Sequence, residues 1–252
     1  MQSASLSRQF TFLIFPDRSG DAFQNMADDI ILLEYSASKD AIRFRHYNWK
    51  LPACSFGYGQ NYNEVNKQFE SSTAQLCRRP TGGGLVDHRN DWTYSLVLPP
   101  QHPLIRKRAL TTYRLIHMTL ADALNKCEQP AVLAPCKTEE DKNNNHNNGL
   151  KKTITHCFQT TEPDDVINPR TDKKIAGAAL KRNRYGMLIQ GSIDRSAIEA
   201  DLDYDALKHS FIQGLCSNLE ATPKSVTWLY FPESLRNSVH NHYATDKWNK
   251  KR

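Results

Sequence analysis

Arg78-Arg79-Pro80-Thr81-Gly82-Gly83-Gly84-Leu85-Val86-Asp87-His88 brings two arginines, three successive glycines and a histidine together within eleven residues. Glycine lets the backbone take positive φ and approach a ligand closely, at an entropic cost to folding. Bracketed by cations, the run marks a place where main chain and guanidinium groups meet something anionic or carbonyl-rich. The competing reading is an ordinary solvated turn. No Gly-Lys-Ser/Thr follows, so this is not a phosphate-binding P-loop, and the glycine spacing does not fit a dinucleotide fingerprint. Of the two arginines, Arg79 is the better ligand-facing candidate, because strand alternation directs only one of the pair inward. His88 either orients a substrate or caps the turn.

A second stretch, Lys173-Lys174-Ile175-Ala176-Gly177-Ala178-Ala179, sets a lysine at the head of small and apolar residues. The side chain of Lys174 leaves a tightly packed strand, where it either faces a carbonyl or phosphate or is a plain surface lysine. Between and around these stretches the chain mixes the two hydrophobic periods. Trp92 to Leu98 is the clearest strand, stopped by Pro99-Pro100, and Ala41 to Tyr47 alternates as a second. Ala22 to Tyr35 has helical spacing, as do Thr111 to Cys127 and the segments around Tyr204–Leu215 and Leu235–Tyr243. Asp165 to Ala179 reads as a hairpin with a polar turn, Met187 to Gln190 as a strand, and residues 1–20 as a weakly ordered start. Many strands with a few helices, not strictly alternating, predict an α+β fold of mixed β-sheets packed with helices. A single catalytic domain over 1–252 is expected, with a short helical C-terminal extension at about 202–249.

Composition narrows the class. The 252 residues are 39% hydrophobic, with ten Phe, ten Tyr and four Trp to build a core. No apolar run approaches the roughly 20 residues that span a bilayer, and no secretion signal is visible, so a cytoplasmic protein without membrane attachment is expected. The net charge of +6 suits an acidic partner protein. No basic-aromatic alternation or known motif supports nucleic acid binding. Residues 136–153, rich in Asn and almost free of apolar side chains, read as a mobile surface loop.

The six cysteines lack Cys-x-x-Cys or other metal-ligand spacing, so no metal site is expected and most are buried small hydrophobes. Cys157, in His156-Cys157-Phe158, is the candidate for reactivity. A lysine held across a hairpin lowers a nearby thiol's pKa, although a buried strand cysteine is the bland alternative. His156 would point to the opposite strand face and is not assigned as a base.

Together these motifs resemble the lipoate–protein ligase A and octanoyltransferase family, related to biotin protein ligases. The carriers are Arg78 to His88 followed by Trp92-Thr-Tyr-Ser-Leu, Lys174-Ile-Ala-Gly-Ala-Ala, Leu188-Ile-Gln-Gly-Ser-Ile193, and Ser55-Phe-Gly-Tyr-Gly-Gln60 upstream. Downstream, His242 to Asn249 is similar to the segment that closes the family's catalytic domain. Leu180 stands where the family usually has Gln. The resemblance implies a biotin/lipoate protein ligase catalytic-domain fold with an apolar acyl tunnel beneath the glycine-rich turn. It implies acyl transfer to a lysine on lipoyl domains of 2-oxoacid dehydrogenases or the glycine-cleavage H protein. Lys174 corresponds to the family's invariant lysine, while Arg79, Thr81, Gly82, Gly83, Gly84, His88, Gly177 and Gly191 would line the substrate site.

Two chemistries occur in such a family. A transferase takes octanoyl or lipoyl groups from acyl carrier protein through a cysteine thioester and needs no cofactor. A ligase activates lipoate with ATP and Mg as an adenylate. One transferase branch carries its cysteine in a Cys-Phe pair shortly before the Lys-Ile-Ala-Gly motif, which matches Cys157-Phe158. The expectation is therefore an octanoyl or lipoyl transferase, a monomer, with Cys157 as nucleophile and Lys174 polarising the acyl carbonyl. The ligase and a non-catalytic lipoyl-domain binder are the alternatives.

Overall fold

The structure is a computed structural model that describes residues 9–36, 40–68, 73–136, 161–199 and 201–252. Cys157 and residues 137–153 of the Asn-rich segment lie outside the described residues. Among the described residues two sheets carry the fold, and both mix parallel and antiparallel pairs, as the α+β reading expects.

The large sheet contains β1 (Phe10–Ile14), β2 (Arg18–Gly20), β3 (Ala41–Trp49), β7 (Asp91–Leu98), β8 (Val132–Leu133), β9 (Val166–Ile167), β10 (Lys174–Asn183), β11 (Gly186–Asp194) and β12 (Ala221–Ser225). Its order is β12-β1-β3-β7-β11-β10-β9-β8, with β2 paired to β3. The small sheet is β4 (Ala53–Phe56) between β5 (Gln75–Arg78) and β6 (Val86–Asp87), with the short helix α2 (Tyr62–Lys67) joining β4 to β5 in sequence.

The strand at Phe10–Ile14 corrects the reading of residues 1–20 as a weakly ordered start. It pairs in parallel with both β12 and β3, and Phe12 is fully buried. Five residues are too few for a periodicity to stand out, and both of this strand's partners are distant in sequence.

Strand alternation gives the large sheet two chemically different faces. One face (Phe44, Tyr94, Leu96, Ile189) is apolar and packs on α3 (Ala109–Lys126) and α4 (Tyr204–Asn218). The other carries Arg45, Tyr47, Thr93, Ser95, Gln190 and Ser192, and faces α1 (Ala22–Glu34). That helix starts where the Asp21 carboxylate accepts from Gln24 N at 2.8 Å, satisfying one of the free first-turn amides.

The polar face is buried because its groups are paired. Asp29 Oδ1 accepts from Arg45 Nε at 2.7 Å and Ser95 Oγ at 2.5 Å, and Oδ2 accepts from Gln190 Nε2 at 2.7 Å. A guanidinium and carboxylate buried here without partners would cost several kcal/mol. Burial, with Asp29 beside it, pushes the Tyr47 hydroxyl well above its usual pKa.

The C-terminal helices α5 (Glu233–Ala244) and α6 (Asp246–Asn249) close over α1 and β5. Among the described residues no helix is long and apolar enough to cross a membrane.

Candidate active site

The glycine run is folded as the sequence suggests, but its arginines have a structural duty. Gly83 takes φ 86°, the left-handed region that favours glycine. A Cβ at Gly57 would sit 1.9 Å from the Gly83 carbonyl oxygen, so two backbones touch here with no room for a side chain. Arg79 Nη2 donates to the carbonyls of Gly82 and Gly84 at 2.8 Å, and Nη1 to Ser55 O at 2.7 Å. Arg78 donates to the carbonyls of Tyr58 (2.8 Å), Gln60 (2.7 Å) and Asn249 (2.8 Å from Nη2). Both side chains are buried, on different sides of the strand end, and Arg79 alone of the two lines the pocket beneath the turn.

That pocket lies between the polar face of the large sheet and the small sheet, with a free volume of about 30 Å³, room for about one or two water molecules. Of the residues singled out in the sequence, Arg79, His88, Lys174, Gly177 and Gly191 line it together. Thr81 stands behind the lining, donating from Oγ1 to Gln190 Oε1 at 2.7 Å. Gly82 borders open space, with nothing within 4 Å of its Cβ position.

His88 is fixed from three sides. Its Nδ1 lies 2.6 Å from Asp91 Oδ2, its Nε2 2.6 Å from Ser55 Oγ, and Trp49 stacks on the ring at 3.9 Å between centroids. Asp91 Oδ2 also accepts from Thr93 Oγ1 and Ser192 Oγ, so Nδ1 bears the proton that bridges to it. The residue types match an acyl-transfer triad, but the likeness stops there. Ser55 is fully buried, and its oxygen already accepts from Arg79 Nη1 at 2.9 Å. The chain Asp91–His88–Ser55–Arg79 instead braces the glycine turn.

Lys174 occupies the other wall. Its Nζ lies 2.7 Å from Asp165 Oδ2, with both side chains almost fully buried, and Tyr113 Oη donates to Asp165 Oδ1. The lysine folds back over its own strand: a Cβ at Gly177 would meet Lys174 Cε at 2.8 Å and Nζ at 3.0 Å. The glycine of the Lys-Ile-Ala-Gly motif is thus the space that the ammonium occupies. Lys174 also lines a second, open groove beside Asp87, Arg89, Asp172 and Asp194, so a charged donor stands where pocket and groove meet. Such a group can stabilise an oxyanion or polarise a carbonyl.

Sequence reasoning passed over Ser55, Asp91, Asp165 and Tyr113. Only Asp165 left a legible signal, since the Asp165–Lys174 hairpin already set an acid opposite the lysine. The candidate thiol Cys157 lies outside the described residues. Among the described cysteines, burial raises the thiol pKa of Cys54 to about 12 and Cys216 to about 11, and raises those of Cys77 and Cys127. None of these four is an activated nucleophile. Among the described residues no group of three or more His, Cys, Asp or Glu could hold a metal ion.

Residues 21–229 match the model of the lipoyl protein ligase A/B catalytic domain. The octanoyltransferase LipM of Bacillus cereus is 32% identical over 186 residues, covering 71% of this chain and 62% of that protein. LipM of Halalkalibacterium halodurans is 32% identical over 193 residues, covering 74% and 65%. The chain thus spans somewhat under two thirds of the length of these relatives.

Among solved structures, a putative lipoate protein ligase from T. acidophilum with bound lipoic acid superposes with a TM-score of 0.73. It is 18% identical and covers 97% of this chain and 100% of its own. A lipoate-protein ligase A bound with ATP gives the same TM-score at 18% identity, covering 96% and 99%. These two show the shared fold. With Arg79, His88 and Lys174 lining one pocket and the family model spanning most of the length, the chain belongs to the lipoyl protein ligase A/B catalytic-domain family.

Proposed function

We propose that the protein is an acyltransferase that moves an octanoyl or lipoyl group onto the ε-amine of a lysine on a lipoyl domain, through a thioester on Cys157. The observation that carries this reading is the buried Lys174 ammonium, held at 2.7 Å by Asp165 where the pocket opens to the groove. The relatives named octanoyltransferases support the same reaction type.

In the first half-reaction the Cys157 thiolate attacks the acyl carbonyl of a carrier thioester. The oxyanion is stabilised by Lys174, and it collapses with the carrier thiolate leaving. In the second, the lipoyl-domain amine attacks the enzyme thioester, loses a proton, and the Cys157 thiol departs. No cofactor enters either step. The donor is acyl carrier protein, the acceptor a lipoyl domain of a 2-oxoacid dehydrogenase or the glycine-cleavage H protein. The enzyme acts as a cytoplasmic monomer. Lys174, Arg79, His88, Gly177, Gly191 and the turn of Gly82, Gly83 and Gly84 make up the head-group site, with Thr81 behind it.

Intact-protein mass spectrometry after incubation with octanoyl-acyl carrier protein, without ATP, tests this. The expected result is a hydroxylamine-labile gain of one octanoyl group that Cys157→Ala lacks. If no adduct forms, and a lipoyl domain is instead acylated from lipoate and Mg-ATP, the protein is a ligase and Cys157 is not its nucleophile.

A further inference from the structure

We infer that the cationic surface around Tyr58 and Trp248 is the landing site of an acidic, acyl-carrying protein, the donor in the transfer proposed above, on which this inference rests. Tyr58 is 38% exposed, and three cations converge on its ring: Lys251 Nζ at 3.4 Å, Arg252 Cζ at 5.5 Å and Lys181 Nζ at 5.7 Å. Lys251 Nζ also sits 3.6 Å from the Trp248 ring centre. Lys247 on α6 and Lys250 just after it are exposed, and Asp246, paired with Lys250 at 2.8 Å, offsets one of these charges. The platform under the cations is held in place: Tyr62 N donates to Arg252 O at 2.8 Å, and Trp248 Nε1 to Arg78 O at 2.8 Å.

This surface lies against the back of the glycine turn. Tyr58 N donates to Thr81 O at 2.8 Å, and its neighbour Gly57 touches Gly83. On β10, Lys181 follows pocket-lining Ala179 by two residues on the same strand face, a distance of about 7 Å. A protein resting here would be within a side chain's reach of the pocket rim.

The occupant's chemistry follows from how the aromatic rings are used. Binding of single-stranded nucleic acid needs ring faces open for base stacking. Here the ammonium of Lys251 covers Tyr58 and Trp248, and His242 and Tyr243 also pack on Trp248. The rings serve as a platform that presents cations, which suits a carboxylate-rich protein surface. Steering of this kind raises association rates by about 10- to 1,000-fold and weakens with salt.

The test compares kcat/KM for octanoyl-acyl carrier protein with that for octanoyl-N-acetylcysteamine, a small neutral thioester. Lys181→Glu with Arg252→Glu should lower the value for the protein donor at low salt by about 10-fold or more, and leave the small donor within about twofold. Lys251→Gln, which keeps the packing, should show the same split to a smaller degree. Equal loss with both donors, or no loss with the carrier, overturns the inference. So does tighter binding of a single-stranded oligonucleotide than of the carrier. Calorimetric titration with octanoyl-acyl carrier protein separates this from failure of the transfer reading. Wild type that binds the carrier, with affinity lost in the double variant, supports the surface even if no acyl group is transferred.

Discussion

At the scale of single residues, Lys174 and Gly177 form one unit. Because a Cβ at position 177 would press on Lys174 Cε and Nζ, Gly177→Ala should displace the ammonium while sparing the fold. The expected outcome is a fall in transfer of at least about 10-fold, with loss of stability below about 1 kcal/mol, read by acylation assay and thermal melt. A neighbouring residue sets an acid limit on stability. Burial lowers the pKa of His117 to about 4, and its Nδ1 lies 2.7 Å from Asp164 O. The unfolded chain takes up that proton near pH 6.5, so acid favours unfolding. This contribution is fully present above about pH 6.5 and lost towards about pH 4, on the order of 3 kcal/mol. His117→Asn keeps a donor for Asp164 O, and its stability should fall less steeply over that window in denaturant melts.

At the scale of elements, the glycine turn separates conformational need from chemical proximity. A Cβ at Gly57 would meet the Gly83 carbonyl oxygen at 1.9 Å and neither backbone can yield, whereas Gly82 faces open space with an ordinary φ. Gly57→Ala should therefore cost at least about 3 kcal/mol, and Gly82→Ala less than about 1 kcal/mol. Equal costs from urea melts would refute this account of the turn. The turn was legible because three glycines between arginines announce a backbone in close approach. What the arginines bind was not legible. A strand's alternation says which face a side chain occupies, but a guanidinium suits a carbonyl of its own chain as well as a ligand's phosphate. Only the fold, bringing the Tyr58, Gly82 and Asn249 carbonyls to hand, decides between them.

At the scale of the whole molecule, the last helix holds the first layer of the site. Asn249 Oδ1 accepts from Arg78 N at 2.8 Å across 171 positions of sequence, and its Nδ2 donates to Tyr243 O at 2.7 Å. Asn249→Ala should leave the buried Arg78 amide unsatisfied, costing about 1–3 kcal/mol. It should also speed hydrogen exchange at Thr81–Gly84, measured by mass spectrometry, with little effect on the far strands β8 and β9. Taken alone, the sequence determined the elements whose own residues carry a period. Trp92–Leu98, the helix read over Thr111–Cys127 and found at Ala109–Lys126, and the hairpin leading into Lys174 are of this kind, as are the α+β class and the glycine turn. Tertiary structure alone decided that Phe10–Ile14 lies inside the sheet and that Arg45 is buried on Asp29. It also decided that His88 is clamped between Asp91 and Ser55. The division is physical: periodicity records which side of an element avoids water, while partners for buried charge and short strands come from residues tens of positions away.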